Sequence, residues 1–151
     1  VLGYQYKGVK KKIKKNKKIT FLHNKKYKNG ISSSIKAGLN KISKKDKGFI
    51  ILQSDMPFVK TSDINKIYNS IIRKKYLVHA LKYKNRIGNP IGFDISILNK
   101  FKKIRGNVGA KYMVKRLHKS TNFIKVSSDK VFKDFDKASD FSAWFFKIYS
   151  K

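Results

Sequence analysis

Phe49-Ile50-Ile51-Leu52-Gln53-Ser54-Asp55-Met56-Pro57 is the stretch on which the fold turns. Four apolar residues in succession predict a strand buried on both faces, as in a parallel sheet covered by helices. The run halts at one carboxylate. Pro57, with no amide hydrogen to donate, then ends the pairing. Ligands of open α/β sheets sit in the crevice beyond the carboxyl ends of the strands. Asp55 is therefore expected in that crevice, at the end of a central strand and on the side of Ser32, Ser33 and Ser34. A carboxylate there suits a hard cation that bridges phosphates. A turn-forming Asp that caps the next helix is the other reading of the same residue. The chain holds only 8 acidic residues, all of them Asp, so each position carries weight.

Outward from this strand the apolar spacing alternates between strand and helix. Upstream, residues 1–5 and 19–23 predict strands, with a basic surface helix over 7–18 and an amphipathic helix over 32–42 carrying Ile35, Leu39 and Ile42. Downstream, Thr61 or Ser62 caps a predicted helix over 63–75, with Ile64, Ile67, Ile71 and Ile72 on its inner face. Residues 76–83 and 90–93 predict strands joined by a turn at 85–89. Helices are expected over 96–104 and 109–119, short strands over 123–126 and 131–135, and a last helix over 137–149, started by Asp136. Such alternation predicts one α/β domain over residues 1–151, in three layers around a mostly parallel sheet. Neither a repeat nor a linker divides it.

Composition points elsewhere. A chain of 151 residues, 40% of them hydrophobic, has enough apolar material for a core. Its formal net charge of +30 is the footprint of a nucleic-acid binder. Lys far outnumbers Arg, however, although Arg is the better residue for bidentate recognition, and the lysines are spread along the chain beside abundant Ile, Asn, Tyr and Phe. Coding bias of an AT-rich genome explains that pattern, and it makes any nucleic-acid binding non-specific. The absence of cysteine excludes disulfides, zinc–thiolate sites and thiol catalysis and is compatible with a cytoplasmic location. No apolar run is long enough to span a bilayer, and the Lys-rich start lacks the apolar stretch of a secretory signal. Because the chain opens on Val1 rather than Met, the gene product is expected to begin earlier or to have been trimmed. His23, His79 and His118 lack ligand-like spacing and are assigned no catalytic role.

Four further segments invite a chemical reading. In Asn24–Ile35 a Gly-containing loop leads into Ser32-Ser33-Ser34 at a helix start, where free N–H groups favour anions; ordinary capping is the alternative. In Arg86-Ile87-Gly88-Asn89-Pro90-Ile91-Gly92-Phe93, Arg86 and the Asn89 amide would flank a ligand, unless the segment is only a hairpin turn. In Arg105-Gly106-Asn107-Val108-Gly109-Ala110-Lys111, two glycines beside a helix start would let the backbone approach a ligand, or would simply link two helices. The stretch from Val131 to Phe141, with Asp134, Asp136 and Asp140, reads first as structural.

In this order and spacing, the segments resemble the MobA-like nucleotidyltransferase family, in its molybdenum-cofactor cytidylyltransferase branch. That family reads roughly N-P-x-Y-x-x-G-M-S-S-S-L, L-x-D-M-P, R-G-N-P-V-x-F, G-D-x-G-A-R and D-I-D-T-P-E-D. The matches here fall at 24–35, 52–57, 86–93, 106–111 and 134–140. The resemblance implies a Rossmann-like fold of the nucleotide-diphospho-sugar transferase kind, incomplete at its N-terminus. Family members open with a Gly-rich loop, L-A-A-G-x-S-x-R-M-G-x-x-K, that wraps the triphosphate, and nothing in this chain matches it. Two other departures are Asn107, where the family usually has Asp, and Gln53-Ser54, where Gly or Ala is common.

The chemistry so implied is Mg²⁺-dependent transfer of a nucleoside monophosphate, CMP foremost, from CTP or GTP to a phosphorylated acceptor of the pterin type such as molybdenum cofactor. By resemblance, Asp55 is the catalytic residue and holds the metal. Gly30, Ser32, Ser33 and Ser34 line the nucleotide, and Arg86, Asn89, Gly106, Asn107 and Gly109 face the acceptor. Without the Gly-rich loop the chain is expected to bind nucleotide weakly. The alternatives are a non-catalytic or partner-dependent remnant of the same fold, and a basic nucleic-acid-binding module.

Overall fold

In the computed structural model, which describes residues 1–14, 16–43 and 45–149, the apolar run forms β1 (Gly48–Ile51). β2 (Val78–Tyr83), β3 (Arg86–Asp94) and β4 (Thr121–Lys125) complete a four-stranded sheet in the order β1-β3-β2-β4. β3 runs antiparallel to both of its neighbours, whereas β2 and β4 are parallel. The sheet is thus mixed, with two of its three interfaces antiparallel, and the expectation of a mostly parallel sheet is corrected. Its cause is the tight return at Lys84-Asn85: Tyr83 pairs with Arg86, and so short a connection joins only antiparallel strands. The returning strand slots between β1 and β2. β1, β2 and β4 nevertheless share one direction.

β1 consequently lies at an edge among the described residues, pairing only with β3. Of its residues only Phe49 is buried, and Leu52, just past its end, is 46% exposed. Asp55 therefore follows an edge strand, not a central one. The strands expected at 1–5 and 19–23 reduce to one parallel bridge, Leu2 to His23, with the Leu2 N–H donating to the Leu22 carbonyl at 2.8 Å. Tyr4 and Gln5 turn the chain directly into α1 (Tyr6–Lys12), which is shorter than the predicted 7–18; residue 15 of that span lies outside the described residues.

Helices cover both faces. α3 (Thr61–Ile72) packs across all four strands on one side. Its start is held by Asp63, whose carboxylate accepts the Lys60 N–H at 3.0 Å, so the cap lies one residue before Thr61 and uses a carboxylate at the third helical position. Ile67 and Ile71 of α3 join Leu81, Val131 and Phe132 in one cluster. On the other side α2 (Ile31–Leu39), α4 (Leu98–Phe101) and α5 (Ala110–Arg116) enclose the larger cluster, which includes Ile35, Phe49, Val78, Ala80, Ile91, Phe93, Phe101 and Met113. The period-two alternation of β3 explains the split: Ile91 and Phe93 face this cluster, while Gly92 faces α3. A Cβ on Gly92 would stand 2.9 Å from Ile71 Cδ1 and closer still to Ile67 Cγ2, so α3 lies against the sheet only because that side chain is missing.

Two expectations near the C-terminus change. Residues 129–132 form a 3₁₀ turn rather than a strand, and neighbouring Val131 and Phe132 enter the same cluster, which alternation in a strand would forbid. The last helix, α6 (Ala138–Tyr149), is started by Asp140 and not by Asp136: the Asp140 carboxylate accepts the N–H groups of Asp136 and Lys137, each at 3.0 Å. Among the described residues no helix is long and apolar enough to cross a membrane.

His79 of β2 is fully buried on the α3 side, its Nδ1 hydrogen-bonded to Ser70 Oγ at 2.7 Å, and Ser70 Oγ also accepts from Asn122 Nδ2 at 2.7 Å. Its Nε2 has no well-formed hydrogen bond. Burial lowers the His79 pKa below 6.5, and the Tyr76 backbone and the Asp94 carboxylate offset this only in part. A lowered folded value means that the unfolded chain takes up the proton first. The stabilisation is complete above pH 6.5 and is lost as pH falls through and below that value. Thermal unfolding between pH 7.5 and 5 is expected to show this decline, reduced in His79→Gln. Gly92→Val is expected to cost about 1–3 kcal/mol by overpacking, read from urea unfolding.

Candidate active site

The predicted site residues assemble into two groups. In the first, the loop before α2 meets the loop before α5. Gly30, at φ 87°, starts α2, and Gly106, at φ 62°, lies opposite. The Ser32 N–H donates to the Gly106 carbonyl at 3.1 Å. A Cβ on Gly30 would come within 2.6 Å of Asn107 Oδ1 and would also strike the Gly106 backbone. Glycine is thus required at position 30 twice over, by conformation and by space. Gly109 is the residue before α5, and a Cβ there would meet only Ile31 at ordinary contact distance.

Asn24, which sequence reasoning left unassigned, organises this group. It is buried, and its Nδ2 donates to Ser33 Oγ at 2.8 Å and Ser34 Oγ at 3.0 Å, while its Oδ1 accepts the Lys26 N–H at 3.0 Å. Ser33 Oγ in turn donates toward the carbonyls of Gly30 and Lys26. Two of the three serines are therefore engaged in building the turn. The signal was present in the sequence as the Asn that opens the Asn24–Ile35 segment. A cavity of about 560 Å³ opens here, lined by Asn24, Ser32, Ser33, Lys36, Arg105 and Gly106 among others. Arg105 also borders a second cavity of about 630 Å³ on the α4–α5 side of the loop.

The second group gathers at the carboxyl end of β1. Gln53 and Asn89 face each other where the β1–β3 register continues, and Asn89 Nδ2 donates to Gln53 Oε1. That bond turns the Asn89 carbonyl oxygen away from Gln53. Asn89 is only 8% exposed, and its Oδ1 has no hydrogen-bond partner. Asp55 Oδ1 is likewise buried and unpartnered. Asp55 takes no part in capping α3, where Asp63 does that work. The Asp55 carbonyl accepts the Phe135 N–H at 2.9 Å, and Phe58, Phe135, Phe141 and Trp144 form a ring cluster beside it. Gln53 was visible in the sequence only as a departure from the family pattern.

Buried oxygen acceptors without donors are costly unless something satisfies them. Among the described residues, no three His, Asp, Glu or Cys side chains cluster as a metal site. A carboxylate and an amide oxygen are nevertheless each the kind of donor that suits a hard cation completing its shell with phosphate and water. Arg86 points elsewhere: its guanidinium reaches Asp129 at 3.5 Å and the Phe132 carbonyl at 3.3 Å, and it lies over the Phe132 ring. It ties β3 to the 129–132 turn. Among the described residues no hydrogen bond joins the first group to the second.

The family model of the MobA-like NTP transferase domain matches residues 6–121. Several solved structures share the fold. Rv0371c of Mycobacterium tuberculosis has a TM-score of 0.76 at 15% identity, over 94% of this chain and 72% of that one. Its homologue from Mycobacterium sp. strain JC1 has a TM-score of 0.78 at 17% identity, over 98% and 73%. The 4-diphosphocytidyl-2C-methyl-D-erythritol synthase of Anaerococcus prevotii has a TM-score of 0.62 at 14% identity, over 93% and 75%. Rv0371c has also been solved as a complex with manganese, at 15% identity and a TM-score of 0.71 over 94% of this chain and 74% of that one. No curated protein matches the chain.

The contact between the two loops makes a paired prediction. Gly30→Ala is expected to lose about 1–3 kcal/mol through strain and collision, whereas Gly109→Ala, which meets no collision and only weakens an N-cap, loses less than about 1 kcal/mol. Equilibrium urea unfolding of both variants checks the difference.

Proposed function

On the premise that this chain belongs to the MobA-like NTP transferase domain family, we propose that it transfers a nucleoside monophosphate, CMP foremost, from a nucleoside triphosphate to a phosphorylated acceptor of the pterin type, such as molybdenum cofactor. In this reading residues 1–151 act as one domain in the cytoplasm, where nucleoside triphosphates are made. An acceptor phosphate oxygen attacks the α-phosphorus, a new P–O bond forms, and the bond to pyrophosphate breaks. Little covalent work falls to the protein, which positions the groups and offsets charge.

The observation that carries this reading is the pair of buried oxygens, Asp55 Oδ1 and Asn89 Oδ1, without donors. Asp55 and Asn89 would hold Mg²⁺, with Gln53 fixing the Asn89 amide. A bound divalent ion supplies charge stabilisation of the phosphates, and the manganese complex of the mycobacterial relative agrees with that choice. Gly30 and Ser32–Ser34 lie on the base and ribose side, beside the cavity at Arg105 and Lys36. Asn89, Gly106, Asn107 and Gly109 face the acceptor. Arg86, held by Asp129 and the Phe132 carbonyl, braces β3 against the 129–132 turn and does not touch the acceptor.

A second reading, a non-catalytic or partner-dependent domain, draws on the engagement of Ser33 and Ser34 with Asn24 and on the neutral Asn107 beside Gly30. Calorimetry of Mg·CTP and Mg·GTP, paired with pyrophosphate release in the presence of acceptor, separates the two. The enzyme reading expects weak Mg²⁺-dependent binding and slow but measurable pyrophosphate release. Asp55→Asn should then weaken Mg·CTP binding at least about tenfold and abolish release, with an unchanged circular dichroism spectrum. Binding without release supports the non-catalytic reading, and binding untouched by Asp55→Asn removes Asp55 from the metal site.

A further inference from the structure

At the opposite end of the sheet from Asp55, three co-directed strands begin, and the residues just before them surround a cavity of about 520 Å³. Lys47 precedes β1, Leu77 precedes β2 and Ser120 precedes β4. Five lysines from three separate segments line it: Lys45 and Lys47, Lys74 and Lys75, and Lys119. The dipole at the C-terminal end of α3 accounts for favourable placement of Lys74 and Lys75 only. Lys45, Lys47 and Lys119 owe nothing to it.

Two carboxylates share the cavity and offset two of the five lysine charges, leaving a net positive lining. Asp46 accepts the Ser43 N–H at 2.8 Å and Asp94 accepts the Ser96 N–H at 2.8 Å. The only ion pair among the described residues is Arg86–Asp129, far along the strands from this end. None of the five lysines is therefore neutralised by a salt bridge, and like charges gathered in one concavity repel one another. A multiply charged anion relieves that repulsion.

We propose that this cavity binds the phosphodiester backbone of single-stranded nucleic acid, independently of the nucleotide-transfer site. Lysines act as point charges on phosphates and do not read bases in bidentate fashion, so binding is indifferent to sequence. Tyr76, half-buried, lines the same cavity with Lys75 Nζ over its ring, 5.8 Å from the centroid, so an aromatic ring of the kind single strands stack on sits beside the lysines. A flexible strand turns its phosphates into a concavity more readily than a stiff duplex does. The charge of +30 on the whole chain predicts diffuse attraction everywhere; the geometry predicts a located site.

The test compares two triple variants that remove the same charge. One is Lys47→Gln, Lys75→Gln and Lys119→Gln; the other is Lys11→Gln, Lys12→Gln and Lys14→Gln on and after α1, and all six side chains are exposed. Fluorescence anisotropy with a labelled single-stranded oligonucleotide over 50–200 mM salt gives the slope of log K against log salt. A located site predicts that the cavity triple flattens the slope by about 2, from about 0.7 per phosphate contact, and that the α1 triple leaves it nearly unchanged. Equal flattening by both triples, or by neither, overturns the proposal. Tripolyphosphate that binds as tightly as the oligonucleotide, with the same sensitivity to the cavity triple, assigns the cavity to small phosphates and overturns the nucleic-acid assignment.

Discussion

The insertion of β3 between β1 and β2 is the constraint on which the rest of the structure depends. The strand makes both antiparallel interfaces and carries residues that face in every direction the fold needs. Ile91 and Phe93 are fully buried in the larger cluster. Gly92 admits α3 to the other face. Asn89 reaches across to Gln53 at the end of β1, and Arg86 anchors the 129–132 turn. Buried apolar area stabilises both layers at about 25 cal/mol per Å², but only this strand brings the two clusters and the buried acceptors into one piece of backbone.

The functional residues inherit that arrangement. The carboxyl end of β1 presents Asp55 and Asn89 with unsatisfied oxygens, while α2 and α5 are locked together through Gly30, Ser32 and Gly106. The end of β1 supplies charge, and the α2–α5 contact supplies a turn rich in hydroxyls and amides. Nucleotide transfer asks for both, because alignment of the reacting groups supplies much of the rate. The basic cavity at the other end of the strands asks for neither and is electrostatic in kind.

Much of this was legible in the chain. The helices on both faces and the hairpin return toward β3 follow from apolar spacing, although β3 starts at Arg86 inside the expected 85–89 turn, and the order of the five segments places the chain in its family. What was not legible is instructive. Strand direction depends on which neighbours a strand meets, and Phe49–Leu52 reads the same at an edge as in the centre. The spacing of Phe132 and Phe135 suggests the alternation of a short strand, but Val131 and Phe132 enter one cluster from a 3₁₀ turn. Asn24 and Gln53 were hidden because a buried amide is known by its partners, Ser33 and Ser34 for one and Asn89 for the other. Conversely, Arg86 looked like a ligand-binding cation and is occupied by Asp129 and Phe132.

The central claim is that a divalent cation binds at Asp55 and Asn89. Paramagnetic broadening of amide signals by substoichiometric Mn²⁺, in the presence of CTP, locates the ion directly. The account predicts that the amides of Gln53, Ser54, Asp55, Met56 and Asn89 broaden first, and that Asp55→Asn abolishes the effect. Broadening centred instead on Asp46 and Asp94, with residues 53–56 untouched, would contradict it.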